Sequence, residues 1–176
     1  MEFFTYPWME LFFKEETEKY KFSHLGGALQ FLPYGVLVDH FQHEVYENPE
    51  MTPAERKATW RKLEKMYNPQ KDYSENAFLE QGTLWYRQGH IFDTPFYYID
   101  YTLAQVLAFQ FWKRAIIDKD ENAWEDYLAI CEVGGTKSFL ELVKLANLKS
   151  PFEEGSLTDV IKAIDAELSA VDDSNL

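Results

Sequence analysis

The chain has 176 residues, of which 46% are hydrophobic and 27% are charged. This length and balance are typical of one globular soluble domain. The formal net charge of −13 argues against nucleic acid and anionic membrane surfaces as partners, because both require clusters of Lys and Arg. A single cysteine, Cys131, excludes an internal disulfide and favours a cytoplasmic location. Its apolar surroundings predict a buried, unreactive thiol.

The chain begins with an apolar segment, MEFFTYPWMELFF, in which six residues are aromatic. It lacks the basic start of a signal peptide, and no apolar run in the chain approaches the length of a bilayer span. Chain ends are normally polar. The segment therefore predicts either burial against the rest of the chain or a surface that belongs to a longer protein. An exposed apolar end would also favour self-association.

Apolar residues recur at helical spacing in the first half of the chain. We expect a short helix near residues 8–20 and a longer one over residues 25–46. Pro33 and three glycines should kink or split the longer helix. Thr52-Pro53-Ala54-Glu55 combines an N-cap, a proline at the first helical position and a capping-box glutamate, so a further helix should reach about Met66.

The second half of the chain continues the helical pattern. We expect helices at residues 75–87, from Pro95 to about Ile117, and at residues 120–131 and 137–146. The last helix should start at Ser156, with Asp159 completing a capping box. No alternating strand pattern or internal repeat occurs. The sequence thus predicts a single all-α domain over residues 1–176, a bundle of about seven helices.

Two histidines could take part in a metal site. His40 and His43 stand three residues apart on a predicted helix, beside Glu44, so both imidazoles could face the same way. The sequence there is His-Phe-Gln-His-Glu, whereas zincins need His-Glu-x-x-His, and no third ligand is evident. A polar helix face is the favoured interpretation, and a metal site is the weaker alternative.

The segment GHIFDTPFYYIDY, residues 89–101, concentrates one histidine and three tyrosines. If Pro95 starts a helix, Tyr97 and Tyr98 lie four and three residues before Tyr101, so the three phenols could share a face near His90 on a preceding loop. Phenols beside an imidazole are good donors to a developing oxyanion. Spacing alone favours the other interpretation, an aromatic helix that packs into the core.

Three long segments are similar to a known family: MEFFTYPWMELFF, KYKFSHLGGALQFLPYGVLVDHFQHEVYENPEMTPAERK and FLEQGTLWYRQGHIFDTPFYYIDYTLAQVLAFQFW. They resemble the C-terminal part of oligoendopeptidase F, a family of zinc metallopeptidases related to thimet oligopeptidase. The resemblance covers essentially the whole chain, and GHIFDTPFYYIDYTLAQ is its most specific part.

This resemblance implies a helical, zincin-type catalytic domain whose channel admits short peptides. In the family, zinc is held by His-Glu-x-x-His and a glutamate on the next helix, and a downstream histidine and tyrosines stabilise the tetrahedral intermediate and position the peptide. The resemblance assigns the histidine role to His90 and makes Tyr98 and Tyr101 the best candidates for the tyrosines. Tyr97 is a candidate for substrate binding, and the spacing leaves open which phenol faces the channel.

The chain departs from the family pattern because it contains no His-Glu-x-x-His. In the family, the glutamate ligand precedes the segment that matches MEFF. We therefore expect all three zinc ligands and the general base to be missing, so that this chain alone holds no metal and is inactive without the N-terminal part of the enzyme. The alternative function is a non-catalytic peptide-binding or assembly module that retains the channel wall.

Overall fold

The structure, a computed structural model, describes residues 1–172. Every regular element in this part of the chain is helical, which confirms the all-α fold class. Its nine α-helices are α1 (Glu10–Phe13), α2 (Thr17–Glu47), α3 (Pro53–Tyr67), α4 (Ala77–Glu80), α5 (His90–Asp93), α6 (Ile99–Trp112), α7 (Ala123–Val133), α8 (Phe139–Leu145) and α9 (Thr158–Ser169). Shorter 3-10 and π turns adjoin or separate them at Glu2–Trp8, Lys14–Glu16, Leu84–Arg87, Lys113–Ile117 and Gly134–Thr136. None of the helices described is both long and apolar enough to cross a membrane.

The chain forms two compact units. Residues 30–102 form one unit, and residues 1–29 form the other together with the described chain from residue 103 to residue 172. The boundaries fall inside α2 and α6. The expectation of a single domain over residues 1–176 stays a prediction, and residues 173–176 of that range lie outside the described part.

Helix α2 is continuous from Thr17 to Glu47, although Pro33 lies inside it. The sequence predicted a kink or a split at this point, and the split does not occur. The separate helix expected near residues 8–20 was wrong, because α1 ends at Phe13 and α2 already starts at Thr17. A proline removes one backbone donor from the helix, but packing on the C-terminal side offsets this loss. There, Leu37, Val38 and Phe41 are fully buried against Trp60 of α3.

Helix α3 begins as its sequence predicted. The Thr52 hydroxyl accepts a hydrogen bond from the Glu55 N–H at 3.3 Å, and the Glu55 carboxylate accepts one from the Thr52 N–H at 2.7 Å. The prediction of a capping box is confirmed. The Thr52 hydroxyl also donates to the Glu55 carboxylate, at 2.8 Å, and the two hydrogen bonds that this carboxylate accepts from Thr52 lower the pKa of Glu55.

A buried ion pair links α3 to the segment that follows it. Arg61 donates to Glu64 at 3.1 Å and to Glu80 of α4 at 2.6 Å. Tyr73 donates its hydroxyl proton to the other Glu64 oxygen at 3.0 Å, and the Arg61 guanidinium lies over the Tyr73 ring. Because Glu64 is 1% exposed, these hydrogen bonds replace the hydration that its charge loses on burial.

The segment before the candidate site differs from the prediction in two places. The expected helix at residues 75–87 is divided at Gly82, whose φ of +83° is left-handed and whose missing Cβ would lie 2.0 Å from the Lys57 carbonyl oxygen. The expected helix from Pro95 starts instead at Ile99, because Phe96 has a left-handed φ of 62°. Glycine adopts a left-handed φ without steric cost, whereas a residue with a Cβ, such as Phe96, does so at a cost in conformational energy.

In the other unit, aromatic residues of the N-terminal segment form part of the core. Phe3 is buried against Phe109 and Trp112, with ring centroids 5.5 and 6.4 Å away. Trp8 and Phe12, in contrast, are 59% and 73% exposed. Burial against the rest of the chain is therefore confirmed for part of this segment, and the alternative of a surface that belongs to a longer protein stays a prediction for the exposed residues.

Two further expectations in this unit were wrong. Helix α9 starts at Thr158 without a side-chain cap, because Asp159 pairs with Lys149 at 3.3 Å instead of closing a capping box on Ser156. Cys131 is exposed rather than buried.

Two glycines of α2 provide a matched test of the packing. A Cβ on Gly27 would meet no atom within 4 Å, whereas a Cβ on Gly35 would lie 1.8 Å from the Thr102 hydroxyl oxygen. We expect Gly27→Ala to raise the free energy of unfolding by about 0.5–1 kcal/mol through helix propensity. We expect Gly35→Ala to lower it by about 1–3 kcal/mol, because the site is overpacked. Urea unfolding followed by circular dichroism measures both.

The Gly35→Ala, Thr102→Ala double variant is the control for this prediction. Removing the Thr102 hydroxyl should recover part of the loss, since the closest clash disappears. Equal effects of the two glycine substitutions would contradict the close approach at Gly35.

Candidate functional site

The four residues singled out by the sequence, His90 and three tyrosines, converge in the unit formed by residues 30–102. The His90 ring centroid lies 5.0 Å from that of Tyr98, 5.7 Å from that of Tyr101 and 6.3 Å from that of Tyr97. Tyr101 in turn lies 5.2 Å from Tyr97 and 5.5 Å from Tyr98. Nearly all these ring pairs are edge-to-face, the arrangement that aromatic quadrupoles favour.

His90 is the first residue of α5 and not part of a loop, which corrects the sequence prediction. The Gly89 carbonyl accepts hydrogen bonds from the N–H groups of Phe92 and Asp93 at 2.9 and 3.0 Å. These bonds close a single helical turn around His90. The imidazole is thus attached to backbone that is hydrogen-bonded locally.

The tyrosines are placed by a turn at Phe96. The backbone N–H of Phe96 donates to the side-chain oxygen of Gln42 at 2.8 Å, and Gln42 is 1% exposed. Tyr97 and Tyr98 therefore lie before α6, and Tyr101 lies in its first turn. The Tyr101 N–H donates to the Tyr98 carbonyl at 3.3 Å. These two tyrosines are therefore about one helical turn apart, as expected, although α6 starts at Ile99 and not at Pro95.

The tyrosines differ in exposure. Tyr97 and Tyr101 are 45% and 42% exposed, whereas Tyr98 packs against the core beside Tyr34. Burial raises the pKa of Tyr98, and the neighbouring Tyr34 adds to this effect. The hydrogen bond with Tyr97 raises the pKa of Tyr101, to which partial desolvation also contributes. Tyr98 and Tyr101 therefore keep their protons, and their capacity to donate, at neutral pH.

A second set of polar residues, which the sequence did not single out, lies behind His90. The Tyr34 hydroxyl donates to the Gln88 side-chain oxygen at 2.9 Å, and the Gln88 side-chain nitrogen lies 2.8 Å from His90 Nδ1. Tyr34 also lines a cavity of about 200 Å³. Gln88 is two residues from His90, but Tyr34 lies on α2, a contact that no sequence spacing indicates.

The residues in the described range do not fit a zinc site. Within residues 1–172, no group of three His, Cys, Asp or Glu side chains is close enough to hold a metal ion. His40 Nε2 lies 3.5 Å from Glu44, while His43 Nε2 lies 3.4 Å from Asp39, so the two imidazoles engage different carboxylates. His40 Nδ1 is also hydrogen-bonded to the Tyr67 hydroxyl at 2.9 Å.

The sequence matches the model of peptidase family M3 over residues 3–160. The chain therefore belongs to this family of zinc metallopeptidases. None of the curated protein sequences compared with the chain matches it.

Three solved structures are similar to this chain over nearly its whole length. An X-ray structure of a protein assigned as oligoendopeptidase F is 61% identical, with a TM-score of 0.93 over 99% of this chain and 31% of its own. A PZ peptidase A solved with an inhibitor is 60% identical, with a TM-score of 0.92 over 97% of this chain and 30% of its own. A protein from Bacillus anthracis, also assigned as oligoendopeptidase F, is 55% identical, with a TM-score of 0.79 over 99% of this chain and 28% of its own.

The recognition made from the sequence is thereby confirmed: the chain corresponds to part of an oligoendopeptidase F. It spans about 30% of the length of the solved relatives.

The hydrogen bond between Tyr97 and Tyr101 can be tested by titration. Because it raises the pKa of Tyr101, we expect Tyr97→Phe to lower that pKa towards the ordinary value of about 10, so that the Tyr101 phenolate forms at a lower pH. NMR of 13C-labelled tyrosine, with Tyr101 assigned from Tyr101→Phe, measures the change. Tyr46→Phe is the control, since Tyr46 packs on Phe96 and not on Tyr101. An unchanged Tyr101 titration in Tyr97→Phe would contradict the assignment.

Proposed function

We propose that this chain supplies the substrate-side wall of the catalytic domain of an oligoendopeptidase that hydrolyses short peptides. The observation that carries the proposal is the convergence of His90 with Tyr98 and Tyr101, at 5.0 and 5.7 Å between ring centroids. All three residues lie within the range that matches peptidase family M3.

The chemistry of the three side chains fits this role. Attack on a peptide carbonyl builds negative charge on its oxygen, and hydrogen-bond donors held in place beforehand stabilise that charge. His90 and the phenols of Tyr98 and Tyr101 would donate to this oxygen. Tyr97, which is exposed at the edge of the cluster, would contact the bound peptide and help to orient it.

We further propose that the chain is inactive alone. The zinc used by the family supplies Lewis-acid chemistry and an activated water, and no ligand set for it is found among residues 1–172. Donors alone supply only part of the rate acceleration. The ligands and the general base would come from the remaining part of the enzyme, which would be the partner of this chain. The single cysteine favours the cytoplasm as its location.

A chimeric enzyme tests the proposed role of His90. This chain would replace the matching 31% of the oligoendopeptidase F relative to which it is 61% identical. We expect the chimera to cleave a quenched fluorescent peptide and His90→Ala to lower its kcat by about 10²–10³-fold, the usual effect of losing one oxyanion donor. His40→Ala is the control, because His40 pairs with Glu44 and Tyr67 and not with a residue of the cluster.

Two outcomes would contradict this proposal. Full activity of the His90→Ala chimera would exclude the donor role of His90. Turnover by the 176-residue chain alone that a chelator abolishes would exclude the claim that this chain holds no catalytic metal.

Peptide binding without hydrolysis is the second candidate function, favoured by the exposure of the Tyr97 and Tyr101 phenols. Calorimetry with a short peptide separates the two functions. Saturable binding that Tyr97→Ala weakens, together with a chimera that binds the same peptide without cleaving it, would favour the binding module.

The exposed apolar residues of the N-terminal segment support self-association of the isolated chain, since apolar patches of this kind are rarely left in water. Leu11 and Phe12 are 74% and 73% exposed. We expect the chain to form concentration-dependent oligomers in sedimentation equilibrium, and Leu11→Glu with Phe12→Glu to shift it towards monomer. Phe78→Glu, at another exposed aromatic residue, is the matched control. A monomer at all concentrations would contradict the expectation.

A further inference from the structure

We infer that Gln88 is a positioning residue that fixes the proton of His90 on Nε2, and that Tyr34 orients the Gln88 amide for this purpose. The inference about the proton stands on the geometry of these three side chains. Its catalytic meaning rests on the proposed function of His90.

The first step is the contact between Gln88 and His90. The Gln88 side-chain nitrogen lies 2.8 Å from His90 Nδ1, within hydrogen-bond distance. In a neutral imidazole one nitrogen carries the proton and the other accepts, and the partner of one nitrogen decides which is which. If the Gln88 amide presents its NH2 group, Nδ1 must accept, and the proton resides on Nε2.

The second step is the orientation of the amide, since a side-chain amide could be turned the other way. The Gln88 oxygen lies 2.9 Å from the Tyr34 hydroxyl. In this contact the Tyr34 hydroxyl is the donor and the Gln88 oxygen is the acceptor, so the Gln88 NH2 group is directed to His90.

The surroundings of Tyr34 support this direction. Arg87 lines the same cavity as Tyr34, and a guanidinium has donors only, so it favours a Tyr34 oxygen that accepts on its side and a proton that is given to Gln88. The charge and hydrogen bonding of Arg87 also oppose the rise in the pKa of Tyr34 that burial causes.

The hydrogen bonds thus run in one direction, from Tyr34 through Gln88 to His90, and we call these three residues the relay. Tyr34 is held by packing, because its ring lies edge-to-face with Trp60 of the core and with Tyr98. The result is a defined tautomer in which Nδ1 is engaged and Nε2–H remains as a donor. In the proposed function, this N–H is the group offered to the carbonyl oxygen.

The tautomer can be measured directly on the 176-residue chain. The chain has four histidines, so 15N-labelled histidine gives few NMR signals, and His90→Ala identifies those of His90. At about pH 8.5, where ordinary imidazoles are neutral, we expect His90 to show a protonated Nε2 and an unprotonated Nδ1. A proton on Nδ1 of the unmodified chain would overturn the inference.

Gln88→Glu is the decisive variant because it preserves the size of the side chain and removes its donor. A carboxylate opposite Nδ1 can only accept, so Nδ1 should become protonated. Tyr34→Phe removes the hydroxyl that orients the amide, and we expect the His90 signals to shift towards a mixture of the two tautomers. Unchanged His90 signals in both variants would overturn the inference. Tyr34→Phe also serves if Gln88→Glu fails to fold.

Tyr67→Phe is the matched control. It removes another tyrosine hydroxyl from the same unit, one that lies 2.9 Å from His40 Nδ1. We expect the His40 signals to change and those of His90 to stay as they are. A change at His90 would show that the His90 signals report general loosening rather than the relay, which would overturn the interpretation of the other variants.

The same variants in the chimera connect the relay to catalysis. We expect Gln88→Glu to lower kcat by about 10–100-fold with little change in KM, as is usual when a hydrogen-bonding partner behind a functional histidine is lost. Unaltered kcat in Gln88→Glu, in a chimera where His90→Ala is inactive, would reject the catalytic part of the inference alone. Full activity of His90→Ala would reject the proposed function and leave the tautomer assignment intact.

Discussion

The hydrogen bond from the Phe96 N–H to the buried side chain of Gln42 is the constraint on which the candidate site depends. A left-handed backbone costs a residue other than glycine roughly 1–2 kcal/mol, and this turn persists at Phe96 because Gln42 accepts its N–H at 2.8 Å. Gln42 is itself held, since its side-chain nitrogen donates to the Val38 carbonyl at 3.3 Å. The turn delays the start of α6 to Ile99 and brings Tyr97 and Tyr98 towards His90.

A consequence of this arrangement is that the cluster of His90 with the tyrosines and its support are built from different parts of the chain. The tyrosines and His90 come from thirteen consecutive residues, 89–101, which is why they could be recognised as a group. Their support comes from α2, through Gln42 at the turn and Tyr34 beside Gln88. The proposed donor role requires such support, because donors stabilise a transition state when they are held in place beforehand.

The sequence predicted what local chemistry determines. The capping box at Thr52 and Glu55 depends on residues three apart, and it formed as expected. The all-α class followed from helical spacing, and the family followed from a resemblance of three long segments, of which GHIFDTPFYYIDYTLAQ is the most specific. The predictions that were wrong depend on tertiary contacts: Pro33 stays inside a helix because its flank is buried, and Asp159 leaves a capping position to pair with Lys149.

The relay could not have been found from the sequence for the same reason. Gln88 lies two residues before His90, but its role depends on the hydroxyl of Tyr34, which the fold brings from α2. Conversely, the sequence suggested that His40, His43 and Glu44 could act together. In the structure, His40 pairs with Glu44 and His43 pairs with Asp39. Proximity along a helix predicts which residues share a face, but not which partner each one takes.

The close approach at Gly35 has an evolutionary consequence. Hydrogen is the only substituent that the Thr102 side chain leaves room for at this position, so α2 and the start of α6 are constrained as a pair. Among related sequences, a larger residue at position 35 should occur only together with a smaller one at position 102. The two positions would then vary jointly, although neither belongs to the chemistry of the site.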